Sequence, residues 1–294
     1  MLTEVTEVVA QVAMLVFVVG SMAAMGLGLT LSRIAEPLRD LRLVVALLVV
    51  NFVVVPAAAI AAARLLPLEP DAATAVVLIG CVAGAPFLPK LAQLSKSNIP
   101  LAVAGMVLLM VTTIGYAPIV VPLAVPGATV DPLEIAQSLV LFMLIPLGVG
   151  LLVRANYPVL ADDWAGKAGQ ASSMGLMLGI SSALLLSWRQ VIGSFGTWIF
   201  VGLAIIFVVA LVSGWLAGMG RPAGDRMLLG LATANRNIAA GLVIAASIGG
   251  DTLVYTLVGA LTLPVMLIAI ARRIGKNAVA APAAVAQPLP DPAV

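Results

Sequence analysis

The sequence predicts an all-α polytopic membrane protein with nine transmembrane helices, and three observations predict it. The 294 residues are 62% hydrophobic and only 10% charged. No soluble domain buries that share of apolar surface, so the bilayer is the solvent for most of the chain. The apolar residues gather into nine blocks of about 20 residues, the length at which a helix crosses the hydrocarbon. The basic residues between the blocks are distributed very unevenly between the two faces those crossings define.

The blocks are 8–31, 43–65, 72–95, 99–125, 132–153, 168–188, 192–218, 227–248 and 252–271. Nine crossings put the termini on opposite faces. With the N-terminus outside, the cytoplasmic segments hold Arg33, Arg39, Arg42, Lys96, Arg154, Lys167, Arg221, Arg226, Arg272, Arg273 and Lys276. The outer segments hold Arg64 and Arg189. A wrong count would scramble this asymmetry, so the positive-inside rule supports the count and orientation together. The expected location is the inner cell membrane, with the C-terminus cytoplasmic. Met1 to Glu7 carries two acids and no basic residue, whereas a signal peptide starts basic. The Ala/Pro-rich stretch from Asn277 to Val294 reads as a disordered cytoplasmic tail, which leaves 1–276 as the membrane domain.

Composition excludes several chemistries. The chain has no histidine and one cysteine, Cys81, so there is no intrachain disulfide and no histidine-based zinc, haem or general-base site. No cofactor is expected. The balance of 15 basic to 13 acidic residues gives no nucleic-acid footprint.

Two basic residues remain inside predicted spans, Lys90 and Arg236, and no carboxylate accompanies them. A charge at mid-membrane costs ~2.5–3.5 kcal/mol on the lenient insertion scale. Snorkelling to the headgroups is one reading of such residues. The backbone favours another. Gly80, Gly84, Pro86 and Pro89 interrupt the third span, and the polar run Thr233–Ala234–Asn235–Arg236–Asn237 interrupts the eighth. The breaks are placed near 80–92 and 232–240. Non-helical backbone at membrane depth survives only against protein or a water-filled cavity. Interrupted spans at matching places in two halves point to a transporter's binding site. The halves match in order: span, span, broken span, span. "MGLGLTLSR" closes the first span and "SSALLLSWR" the sixth, and an offset of five inverts the second copy.

These residues resemble the bile acid:sodium symporter family, including its bacterial organic-anion members. "MGLGLTL" is similar to the family's Met-Gly-Leu-x-Leu span end. "NFVVVP" (Asn51 to Pro56) resembles Gln-Phe-x-x-x-Pro, "VLIGCVAGAP" resembles Gly-Cys-Cys-Pro-Gly-Gly, and "ATANRN" (Ala232 to Asn237) resembles Glu-Thr-Gly-x-Gln-Asn. The likeness covers roughly Met14 to Lys276. It implies two inverted repeats, a core and a panel domain, and two broken helices crossing in the core. Nine spans imply that the first helix of the ten-helix bacterial members is missing. Alternating access would carry an organic anion past the crossing.

The departures bear on sodium. By ungapped alignment, the family's sodium-binding acid and glutamine fall on Ala232 and Arg236. Its Ser-Asn pair falls on Leu88 and Pro89, and a further Ser and Thr fall on Ala102 and Met106. Only Asn51 and Asn237 keep similar side chains. Sodium needs several oxygen ligands, preferably with a carboxylate, and this set offers neither. The expectation is that Lys90 and Arg236, with Asn51 and Thr233, stand where sodium ions would sit. Pro86, Lys90, Thr112, Asn235, Arg236 and Asn237 would meet the substrate, a small amphipathic carboxylate. The alternatives are a sodium-coupled symporter, and an anion channel or non-transporting ligand sensor. An intramembrane enzyme would need a Ser–Lys pair at Lys90, and Ser95 lies on the wrong side of the break.

Overall fold

The computed structural model describes residues 2–30, 32, 35, 37–125 and 132–280. Apart from one isolated bridge in the turn at Phe195 and Thr197, the described residues form helices and their connections. Each of the nine apolar blocks lands on helix. They are α1 (Leu2–Gly28), α2 (Leu41–Leu65), α3 (Pro70–Cys81) with α4 (Leu88–Ser95), and α5 (Ile99–Ala124). Then come α6 (132–156), α7 (Pro158–Gly193), α8 (Ile199–Ala217), α9 (Ala223–Ala234) with α10 (Ile238–Ile248), and α11 (Thr252–Ala280). Six stretches are long and apolar enough to cross a membrane, so this is a multi-pass membrane protein.

Local chemistry explains the ends. Asp40 caps α2 by accepting from the Leu43 amide at 3.1 Å and pairs with Arg221. That amide bond is the main reason its carboxyl is held below the usual carboxylate range. Asn98 caps α5 through the Leu101 amide at 3.1 Å. Both α2 and α6 carry a π-turn, at Val50–Val54 and Val140–Leu144, each just ahead of a proline (Pro56, Pro146) that lacks the N–H to continue the ladder.

The helices pack as two groups. α1 lies along α7 and α6, with Gly26 and Gly150 meeting where no Cβ fits. The second group repeats one order: helix, broken helix, helix, as α2, α3–α4, α5 and again as α8, α9–α10, α11. Its centre is the stretch Ala223–Ile248, 78% of whose apolar window is buried, against 22–44% for the other candidate spans.

Several boundaries differ from the sequence expectation. α7 starts at Pro158, not 168, because Pro158 suits a helix's first position and α6 ends at Asn156. The breaks are tighter than expected, Val82–Phe87 and Asn235–Asn237. α11 runs to Ala280, past the expected start of the tail at 277, and residues 281–294 lie outside the described residues. Arg33, part of the expected basic face, also lies outside them.

Candidate functional site

The first break begins where Val82 turns extended (φ −103°, ψ 127°) and Gly84 takes φ +79°. Only glycine suits Gly84 twice over: a Cβ there would lie 2.1 Å from the Met110 nitrogen of α5. Thr113 on α5 clamps the neighbouring residue. Its hydroxyl accepts from the Ala83 amide at 2.9 Å and donates to the Ala83 carbonyl at 3.0 Å. Pro89 then sits in the first turn of α4, where a missing N–H costs nothing. The second break is three residues long. Asn237 closes it by capping α10 through the Ala240 amide at 3.2 Å.

The breaks touch, and the five hydrogen bonds between them run one way. Arg236 Nε donates to the Ile79 carbonyl (3.2 Å) and its Nη2 to Gly80 (2.7 Å). The Asn237 amide donates to Val82 (3.3 Å), its side chain to Gly84 (3.4 Å), and the Asn235 side chain to Ala85 (3.3 Å). Arg236 Nη1 also donates to the Thr233 carbonyl at 3.1 Å and to Asn51 Oδ1 at 2.9 Å. Asn51, in the π-turn of α2, donates to Leu47 O at 3.0 Å and to Thr233 Oγ1 at 3.3 Å. The guanidinium, in a residue only 3% exposed, thus fills a shell of four oxygens. Three are carbonyls at the C-terminal ends of α3 and α9, where helix dipoles gather negative charge. That arrangement satisfies a buried cation without a carboxylate.

Lys90 is in a different place. It is exposed, its backbone amide donates to the Phe87 carbonyl at 3.1 Å, and among the described residues its side chain makes no hydrogen bond or ion pair. It lines a cavity of about 1260 Å³ between the two helix groups. The wall from α1 and α7 offers Met14, Phe17, Met25 and Leu176, with Ser21, Ser172 and Ser173 among them. The wall from the second group offers Pro86, Asn235, Arg236, Asn237 and the apolar flank of α11. No lining residue is acidic. The lining comes from the second half of α1, from α4 between Pro89 and Gln93, from the start of α5 and the first half of α7, and from the start of α10 and the middle of α11. The cavity therefore lies toward the face where α4 turns into α5 and α6 into α7.

Of the expected ion-site set, Asn51, Thr233 and Arg236 come together and Lys90 does not join them. Of the expected substrate set, Pro86, Lys90, Asn235, Arg236 and Asn237 line the cavity and Thr112 does not. The Thr112 hydroxyl donates to Leu108 of its own helix at 2.8 Å. Its neighbour Thr113 is the residue at the crossing, with Tyr116, whose hydroxyl donates to Phe52 O at 2.8 Å. Sequence reasoning missed both. In the structure Thr113 stacks over the buried Met106, Leu109 and Met110, a register that the uniformly apolar sequence of α5 does not announce. The carbonyls of Ile79 and Gly80 carry no sequence signature at all.

A family model described as "Sodium Bile acid symporter family" matches residues 13–210, two thirds of the chain. The match ends within α8, before the second break. Comparison with curated proteins finds no match.

Proposed function

The chain belongs to the sodium bile acid symporter family, a family of membrane transporters rather than enzymes, and on that premise we propose that it carries a small organic anion without sodium. The observation that carries this reading is the shell around Arg236. Four oxygens that could hold a metal ion hold a guanidinium instead. A covalent cation there supplies the positive charge and the hydrogen bonds, and leaves sodium no vacancy.

In this reading the residues in order of the chain are nine spans, with the N-terminus outside and the cavity open to the cytoplasm. The α1, α6 and α7 group is the panel, and the crossed helices belong to a moving core. Lys90 binds the anion's head, with Asn235 and Asn237 beside it, while Met14, Phe17, Val103 and Leu242 take an apolar tail. The cavity is large for a small metabolite and mostly apolar, which suits an amphipathic carboxylate.

The test is uptake of a carboxylate panel into proteoliposomes, with sodium replaced by choline. Uptake of at least one carboxylate should be unchanged by the swap. A steep sodium dependence would overturn the reading of Arg236. Cysteine labelling from outside should reach position 3 and not position 280.

A further inference from the structure

We propose that this protein is an obligate anion exchanger, in which the core crosses only with an anion on Lys90. The inference rests on the alternating-access reading above and adds the rule by which the carrier turns over.

The two cations differ in how their charge is compensated. Arg236 is enclosed by its own oxygens, which belong to the core helices α2, α3 and α9, so its compensation travels with it. Lys90 has no such shell. To change sides, the core must carry the Lys90 ammonium past the wall formed by α1 and α7. Among the described residues, none that lines the cavity from that wall is acidic. Its apolar members are Met14, Phe17, Met25 and Leu176. Its hydroxyls donate to backbone carbonyls, Ser21 and Ser172 to Phe17 at 2.6 and 2.9 Å and Ser173 to Gly169 at 2.9 Å, so they offer an ammonium neutral acceptors and no negative charge. Nothing lining the cavity from this wall supplies a counter-ion for the lysine.

A bound carboxylate changes this balance. It pairs with the ammonium, the moving part gains no net charge from the pair, and the apolar tail matches the apolar wall. Here the contrast with a sodium-coupled carrier is instructive. Dissociable cations leave with the substrate, so such a core returns empty without bare charge. A lysine cannot leave. The empty core is therefore held back by the penalty of a bare cation at membrane depth, which slows its crossing by about two orders of magnitude. Only a second anion, bound from the opposite side, releases it.

Accessibility of a core residue tests this without a known substrate. Ile238, the first residue of α10, is half-buried, lines the cavity and belongs to the core. Ile238→Cys in a Cys81→Ala background is prepared in right-side-out and everted membrane vesicles. A membrane-impermeant maleimide is applied in carboxylate-free buffer. In everted vesicles every variant should label, and each variant is shown to be folded by a parent-like melting midpoint in detergent. In right-side-out vesicles the Lys90 parent should label at least tenfold more slowly than Lys90→Met or Lys90→Gln, and Lys90→Arg should be as slow as the parent. Octanoate, an apolar-tailed monocarboxylate, should speed the parent and leave Lys90→Met unchanged. If the parent labels from outside as fast as Lys90→Met without octanoate, exchange is overturned and alternating access stands. If no variant labels from outside under any condition, alternating access itself fails, and exchange with it.

Discussion

The first break, Val82–Phe87, and the second, Asn235–Asn237, occupy the same place in two copies of one helix order, yet they bring opposite chemistry. The first presents carbonyls, at Ile79, Gly80, Val82, Gly84 and Ala85, and the second brings a donor to each of them. The first sends its one cation, Lys90, out to the cavity, and the second turns Arg236 inward. Two broken helices alone would leave a cluster of unsatisfied polar backbone at membrane depth. Here one break satisfies the other, which frees the cavity-facing lysine to meet a ligand. The difference teaches that one cation is enclosed at the crossing and the other is open to the cavity, where residue type alone suggested a matched pair.

The strongest way to break that comparison is Arg236→Leu. It leaves the Ile79, Gly80 and Thr233 carbonyls and Asn51 Oδ1 without their donor, and each orphaned buried acceptor costs ~1–3 kcal/mol. The expected loss is at least ~4 kcal/mol, or a melting midpoint about 10 °C lower in detergent. Parent-like melting would mean the guanidinium does not hold the crossing. A sharper version pairs Arg236→Gln with Ala232→Glu, the residue types that the family resemblance implies. That variant should melt higher in sodium than in choline, while the parent should not distinguish them.

Gly84→Ala attacks the acceptor side. The new Cβ meets the Met110 backbone and the residue must keep φ near +79°, so about 3 kcal/mol or more is expected. Thermal melting reads it directly. A neutral Gly84→Ala would show that the first break can shift without disturbing its carbonyls.

The helix order, the two breaks and the polar character of the second could be read from the chain, because Gly and Pro at 80–89 and the Thr233–Asn237 run are unlike the apolar spans around them. The split between the cations could not be read. Which way a side chain leaves a broken backbone depends on the turn geometry, and Lys90 is the third residue of a helix that starts at Leu88 behind Phe87, an N-cap whose side chain makes no capping bond. The acceptors were equally hidden, since a carbonyl at Ile79 or Gly80 is available only because the helix stops at Cys81. Thr112 and Thr113 were indistinguishable in an α5 that is apolar all round, where no hydrophobic face fixes the register.

Lys90→Met comes next in size, and its signature is selective. The side chain is exposed and unpartnered, so melting should change by less than ~1 kcal/mol. Carboxylate uptake should fall at least tenfold, equivalent to ~1.4 kcal/mol in the rate. The pattern is the reverse of the one expected for Arg236→Leu. Equal losses of stability in the two variants would erase the division of labour between the breaks.

The finest comparison sets two neighbours on α5 against each other. Thr113→Val removes both hydrogen bonds to Ala83 and leaves a buried amide and carbonyl beside the first break without their partner. Valine keeps the shape, so the loss is that of the hydroxyl alone, ~1–3 kcal/mol. Thr112→Val removes only a bond to Leu108 O, a carbonyl already within the helical ladder, and should stay within ~0.5 kcal/mol. Both are measured by melting of the purified protein, with the α5 backbone as a shared context. The pair tests whether the carbonyl-rich break is held from outside, by α5, as well as from across the crossing by Arg236. If Thr113→Val melts like Thr112→Val, then Gly84 and the donors of the second break hold Ala83 in place by themselves, and α5 adds only packing.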